Sequence, residues 1–273
     1  MEIYKITEAS EYLMEFKKEE TVNLNSLLKK KVNLPPRILI YTIPGWGKTT
    51  LAASMPKPIF IDIEDGMTGL SVDSFEIPKT YEDIENYIRL LINEDHDYKT
   101  VVIDTLSSLE RNIYDQVCKD HKKNSVDEIG YAKGYSFALY YWEKIVDGLN
   151  ILRGKGIAPV LLAHSEVKTI QDPIVDAYDK YIIKLHKHPA AMIMQLCDEI
   201  FFGTHKTIVT KQGEGFSKTS KGVGQGERVI LTEERPAFTA KSRNGLTFEI
   251  DIPKVNGWSN IANNFNKNKS EEK

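Results

Sequence analysis

"TIPGWGKTTL", residues 42–51, decides how the rest of the chain is read. A phosphate-binding loop folds backbone N–H groups around a nucleotide's phosphates, sets a lysine on the β- and γ-phosphates, and places Ser or Thr on magnesium. Gly45 and Gly47 remove the Cβ atoms that would obstruct the wrapping, and Lys48 and Thr49 fall at the lysine and metal-ligand places. Pro44, Gly45, Trp46, Gly47, Lys48, Thr49 and Thr50 are therefore the expected nucleotide cradle. One position departs. Thr42 stands where the loop's first glycine is usual, which is tolerable only if its backbone keeps to a region open to a β-branched residue.

Working outward, "RILIY" (37–41) is a short apolar run suited to a buried parallel strand. "TTLAASM" opens a helix whose N-terminus adds positive potential at the loop. Similar runs recur at 58–63 (PIFIDI), 100–105 (TVVIDT), 157–163 (IAPVLLA) and 198–203 (DEIFFG). Between them lie amphipathic stretches. "YEDIENYIRLLIN" carries Ile84, Ile88 and Leu91 on one face, with Thr80 and Asp83 spaced as a capping box. "SFALYYWEKIVDGLNILR" is another, stopped by Gly154 and Gly156. Strands alternating with helices predict an α/β fold, a mainly parallel sheet flanked by helices. After residue 203, "RVILT", "AFTAK" and "LTFEIDI" read as strands between turns, an antiparallel C-terminal extension.

The domain reading follows. Residues 1–33 form an N-terminal segment suited to oligomerisation or partner contact, and 34–252 form the core. Within the core, the Gly- and Lys-rich stretch 211–227 reads as a mobile loop, and 253–273 as a disordered tail. A net charge of −3 gives no global field for nucleic acid, so any such contact must come from local patches. Two cysteines without metal or redox spacing suit a reducing cytosol, and no apolar run reaches membrane-spanning length. The N-terminus is unlike a signal peptide. The expected location is cytoplasmic.

Phosphoryl chemistry needs a second magnesium anchor and a base. Asp104, ending "TVVID", supplies the anchor beside Thr49. Thr105 follows it rather than a glutamate, so the base must come from elsewhere. "FIDIEDG" offers Glu64, close to the phosphates if its strand neighbours the Asp104 strand, with Asp62 the weaker candidate further back. His164 ends the apolar run of "VLLAHSEVK"; it is either structural or a γ-phosphate sensor, and the residues leave both open. His186 and His188 lack a third ligand nearby, which argues against a metal site.

The order of these parts, closing with "AKSRNGL" (240–246), resembles the RecA-like P-loop ATPases. More narrowly, it resembles the phage-encoded minimal RecA-like ATP-binding proteins of single-strand annealing and recombination. The resemblance covers about residues 34–252 and lies in motif order. It implies an ATPase using ATP and Mg2+, with Lys48 and Thr49 on phosphate and metal, Asp104 as Walker B aspartate, Glu64 as catalytic glutamate and His164 as sensor. It implies a homo-oligomer whose active site is shared, with Lys241 and Arg243 reaching the neighbouring subunit's nucleotide. It also implies single-stranded DNA as partner, together with a single-strand binding protein. The first DNA loop would be 119–135, with Lys119, Lys122, Lys123, Tyr131, Lys133 and Tyr135 tracking phosphates and stacking bases. The second would run from Ser165 through 186–189.

Three functions are weighed. The first is a RecA-like ATPase acting on single-stranded DNA in phage recombination or replication, by annealing or strand exchange, in the host cytoplasm. The second is an ATP-switched oligomeric scaffold for protein partners. The third is a AAA+ remodelling motor, ranked last because it predicts a helical lid where 228–252 read as strands.

Overall fold

The computed structural model of the chain describes residues 34–130, 133–206, 208–212, 219–223 and 226–271. The N-terminal segment 1–33 and residues 213–218 and 224–225 of the glycine-rich stretch therefore lie outside the described residues.

From its start the described chain runs β1 (Ile38–Thr42), α1 (Lys48–Ala53), β2 (Pro58–Asp62), β3 (Asp73–Ser74) and α2 (Tyr81–Asn93). It continues through β4 (Thr100–Asp104), α3 (Leu106–His121), a 3-10 turn at Val126–Ile129, α4 (Lys133–Gly154), β5 (Ala158–Ile170), β6 (Tyr178–Ile183) and α5 (Lys187–Leu196). Then follow β7 (Glu199–His205), β8 (Ile208–Gln212), β9 (Thr219–Val223), β10 (Arg228–Leu231), β11 (Lys241–Ser242), β12 (Glu249–Ile252) and α6 (Trp258–Glu271).

The main sheet has the order β12-β10-β7-β1-β5-β4-β2-β3. Strands β3, β2, β4, β5, β1 and β7 pair in parallel, and β10 and β12 extend the sheet antiparallel beyond β7. This is the α/β architecture expected, with its antiparallel C-terminal addition.

The central strands are apolar throughout because both faces of the sheet are covered. Side chains alternate between the faces: Leu39, Tyr41, Ile59, Ile61, Val101 and Ile103 enter one core, and Ile38, Ile40, Phe60 and Val102 the other. Helices α2, α3 and α4 cover the first through Ile84, Ile88, Leu109, Ile113, Trp142 and Leu149. The capping box that starts α2 is present, Asp83 N donating to Thr80 Oγ1 and Thr80 N to Asp83 Oδ2.

Two expectations change. Residues 258–271, read as a disordered tail, form α6. Its Ile261 is fully buried in the second core, with Trp258 and Phe265 packed against it. Apolar residues at 258, 261 and 265 make one helical face inside an asparagine-rich sequence, and burying that face outweighs the weak intrinsic propensity. Second, β5 does not stop at residue 163. It runs to Ile170 and returns through β6, pairing Ser165 with Ile183 and Ile170 with Tyr178. The expected second DNA loop is thus largely a β-hairpin. Of the stretch 211–227, the parts described belong to a β8–β9 hairpin and to the approach to β10.

Candidate nucleotide site

The site lies at the carboxyl ends of neighbouring parallel strands, where ligands of such sheets bind. Register aligns Thr42 of β1 with His164 of β5 on one side and with Gly203 of β7 on the other. It aligns Asp62 of β2 with Asp104 of β4. The condition set for Glu64, that its strand neighbour the Asp104 strand, is met.

Thr42 is the last residue of β1, buried, and in extended backbone with no positive φ. The left-handed turns fall instead on Gly45 (φ 73°) and Gly47 (φ 98°). Trp46 turns inward from the loop: its indole is 1% exposed and Nε1 donates to the Thr204 carbonyl at 2.7 Å. Gly203 makes room for this. A Cβ there would lie 2.7 Å from Thr42 Cγ2 and 3.0 Å from the Trp46 ring. Sequence reading placed Trp46 among the nucleotide contacts; its side chain instead anchors the loop to β7.

Lys48 and Thr49 converge on Asp104, which is nearly fully buried. Lys48 Nζ stands 3.1 Å from Asp104 Oδ1, and Thr49 Oγ1 donates to Asp104 Oδ2 at 2.6 Å. A hydroxyl and a carboxylate side by side are hard oxygen donors of the kind magnesium takes, one or two from protein and the rest from phosphate and water. The residues fit that ion.

Glu64 sits just past β2, its oxygens divided between two sets of partners. Oε1 accepts from Thr105 Oγ1 at 2.6 Å and Ser108 Oγ at 2.9 Å, while Oε2 faces His164 Nε2 at 3.4 Å and Lys48 Nζ at 4.0 Å. Burial acts to raise the carboxyl's pKa. The two hydroxyls, then His164 and Lys48, overcome it and hold the group below the usual value. Asp62 has a different task. Its oxygens accept from the backbone N–H groups of Glu64 (3.0 Å) and Gly66 (2.9 Å), shaping the turn that presents Glu64. Burial pushes its pKa up, Asp104 adding to the effect.

A cavity of about 280 Å3 opens between the loop and the strand ends, lined by residues 42–50, Gly66, Thr68, Leu70 and His164. A phosphate chain lying in it would meet Lys48, Thr49 and His164, and Glu64 stands behind Lys48 and His164, at 4.0 and 3.4 Å from them.

A family model described as an AAA domain matches residues 34–244, well over half of the chain. The chain belongs to the AAA domain family. Among solved structures, the domain is similar to the RadB recombinase, at 16% identity over 86% of this chain and 95% of the other, with a TM-score of 0.45. It is also similar to a KaiC-like protein of the hyperthermophilic archaeon Pyrococcus horikoshii OT3, at 12% identity over 86% and 93% of the two chains, with a TM-score of 0.38. No curated protein matches. No helix among the described residues is long and apolar enough to cross a membrane.

Other expected residues lie elsewhere on the AAA domain. Lys241 and Arg243 are not brought to the P-loop. β11 pairs antiparallel with the start of β7, Lys241 opposite Ile200 and Ser242 opposite Glu199, at the sheet edge remote from Thr42. There Lys241 Nζ donates to the Met194 carbonyl at 2.7 Å and Arg243 Nη1 to Asp198 Oδ1 at 2.8 Å. Asp198 also pairs with Arg37 at 3.0 Å and Arg153 at 3.2 Å.

The lysines and tyrosines of 119–135 are engaged unequally. Lys119 pairs with Glu82 at 2.7 Å. The Tyr135 ring stacks on His186, 4.3 Å between centroids, and its hydroxyl donates to Asp127. Lys122, Lys123 and Lys133 are exposed, and Tyr131 lies outside the described residues.

Three residues of the site escaped the sequence reading. Thr105 and Ser108 were signalled only by hydroxyls at i and i+3 directly after Asp104. Arg228, which reaches the P-loop from β10, sits in no motif. Its Nη1 donates to the Trp46 carbonyl at 3.3 Å.

Proposed function

We propose that this AAA domain is a Mg2+-dependent, RecA-like ATPase that works as an oligomer on single-stranded DNA in phage recombination or replication. One observation supports the chemistry above others: Glu64 lies between its hydroxyl anchors and Lys48, just past the strand that pairs with the Asp104 strand. In this reading Lys48 offsets phosphate charge and Glu64, kept ionised, takes the proton of the attacking water. Thr49 and Asp104 hold the metal, which supplies charge neutralisation at the β- and γ-phosphates. His164 faces the same carboxylate and is placed to respond to the γ-phosphate. The loop Pro44–Thr50 wraps the triphosphate, and Arg243 with Lys241 completes a neighbour's site. The location that goes with this reading is the host cytoplasm.

The nucleic-acid part rests on the sequence resemblance and on the exposed Lys122–Lys123 pair, for which no ion pair is formed among the described residues. ATPase activity measured with and without single-stranded DNA, at low and moderate salt, tests it. Stimulation that weakens with salt supports the reading, and a rate indifferent to DNA overturns it.

A second reading, an ATP-switched scaffold for protein partners, draws on the β5–β6 hairpin. Its tip exposes Ile174 (88%) and Val175 (57%) beside the acidic Asp172 and Asp176, a surface poorly suited to a polyanion. The hairpin root is tied to the site, since Lys184 N donates to the His164 carbonyl at 2.9 Å. A remodelling motor is favoured least, because β10 and β12 occupy the place of a helical lid.

A further inference from the structure

Trp46 is held by side chain and main chain alike, from the two strands next in order beyond β1. Its indole Nε1 donates to the Thr204 carbonyl of β7, and its own carbonyl accepts from Arg228 Nη1 of β10 at 3.3 Å. Register brings these groups together, since Thr204 lies opposite Val229, the residue after Arg228. The guanidinium also stands 5.5 Å from the Trp46 ring centroid, and Nη2 donates at 2.5 Å to the carbonyl of Pro253, just past β12. One side chain thus joins the antiparallel extension of the sheet to the P-loop.

Arg228 is a cation without an anion. Among the described residues no carboxylate pairs with it, its Nε is buried with no hydrogen-bond partner, and burial alone lowers its pKa. Glu227 and Asp251 line a neighbouring cavity with it, but Asp251 pairs with Lys206, at 3.5 Å. A part-buried charge left unpaired is costly, and an anionic ligand nearby offsets that cost.

The contact falls on one peptide of the loop. The Trp46 carbonyl and the Gly47 N–H are the two ends of a trans peptide and point opposite ways. With the carbonyl turned to Arg228, the N–H is turned from it. Gly47 lines the phosphate cavity and caps the N-terminus of α1. Its missing side chain admits the guanidinium, since a Cβ there would lie 2.5 Å from Arg228 Nη1. A charge-assisted bond on the carbonyl also polarises the peptide and strengthens its N–H as a donor.

We propose that Arg228 is a positioning residue for the P-loop, which fixes and polarises the Trp46–Gly47 peptide so that the Gly47 N–H serves the phosphates. The proposal rests on the P-loop reading above. It adds that phosphate affinity is set partly by the antiparallel extension and not by the loop alone. Such a bond acts on the ground state and the transition state alike, so its loss raises KM and spares kcat.

Titration calorimetry of the full chain with Mg-ATP and with Mg-tripolyphosphate, beside steady-state ATPase kinetics, tests it. Arg228→Met keeps the aliphatic stem and removes charge and donors. It should weaken both ligands about tenfold and raise KM by a like factor, with kcat held within about twofold. Arg228→Gln makes the same test if Arg228→Met does not fold. Arg228→Lys keeps the charge and one donor and should recover most of the loss. A purely structural role predicts the opposite split, a lower kcat from a smaller folded fraction at unchanged KM. That opposite split, unchanged affinities in Arg228→Met, or an Arg228→Lys loss equal to that of Arg228→Met overturns the proposal and leaves the P-loop reading standing. If the unmodified chain binds neither ligand, or Lys48→Ala leaves tripolyphosphate binding intact, the P-loop reading fails and takes the proposal with it.

Discussion

Thr105 Oγ1 donates a 2.6 Å hydrogen bond to Glu64 Oε1, so the residue after Asp104 holds the carboxylate offered from just past the neighbouring strand. That bond favours the charged form of Glu64. Removing it in Thr105→Val should raise the carboxyl's pKa, so the base is lost at a higher pH as the solution is acidified. The acid limb of the kcat profile should move upward and kcat should fall about tenfold, with KM little changed. Thr105→Ser keeps the hydroxyl and should behave like the unmodified chain. An acid limb that stays in place in Thr105→Val removes Thr105 from this role.

Binding and chemistry should separate between Lys48 and Glu64. Lys48→Ala removes the charge that faces phosphate and should weaken ATP binding by an order of magnitude or more. Glu64→Gln keeps the side chain's shape and should bind ATP without turning it over. Hydrolysis by Glu64→Gln at an undiminished rate would falsify the base assignment.

Acid stability should depend on Asp198. Burial acts to raise its carboxyl pKa, but hydrogen bonds and charge from Arg37, then Arg153, bring it down to about 2. A folded-state value below the unfolded value of roughly 3.9 gives stability that is full above about pH 4 and lost as pH falls toward 2. Urea melts across that window should show a decline of about 2 kcal/mol that Asp198→Asn lacks. Parallel declines in both proteins place the acid sensitivity elsewhere.

A contribution in trans requires Arg243 to leave Asp198. Departure is feasible because Arg37 and Arg153 remain with the carboxylate, and Arg243 is the most exposed of the three, at 53%. Specific ATPase activity should rise with protein concentration, and Arg243→Ala should lose turnover while binding nucleotide. Mixing Arg243→Ala with Lys48→Ala should restore part of the activity, since one protomer keeps the loop and its neighbour the finger. No recovery on mixing, with a rate independent of concentration, means that each chain carries a complete site.

Lys122→Ala with Lys123→Ala should weaken single-stranded DNA binding and flatten its salt dependence, because each phosphate contact releases counterions. Basal ATPase should persist. Unchanged affinity and slope would move the contact away from this turn.

Much of the fold was legible because its signals are local. The apolar runs of β1, β2, β4 and β7 and the capping box of α2 each declare themselves within a few residues. The loop 42–50, Asp104 and Glu64 were legible for the same reason. What stayed hidden depends on tertiary pairing. "SEVKTI" loses the apolar run that marks the buried half of β5, and it becomes strand only by pairing with β6. α6 needs a groove for Trp258 and Ile261 before its asparagines become helical. Arg228 acquires meaning only when β10 is laid beside β7 and brings a guanidinium to the P-loop.

Thr42, Trp46 and Gly203 can change only as a set. Restoring glycine at 42 alone would open a void beside Gly203, and enlarging 203 alone would collide with two side chains at once. Replacing Trp46 alone would strand the Thr204 carbonyl that its indole satisfies. Any one substitution is thus a step downhill in fitness, although a simultaneous exchange of all three could be neutral. Related chains should therefore fall into two lineages, one with a bulky threonine–tryptophan pair over a bare β7 position and one with the ordinary glycine and a larger residue at 203, with few intermediates between them.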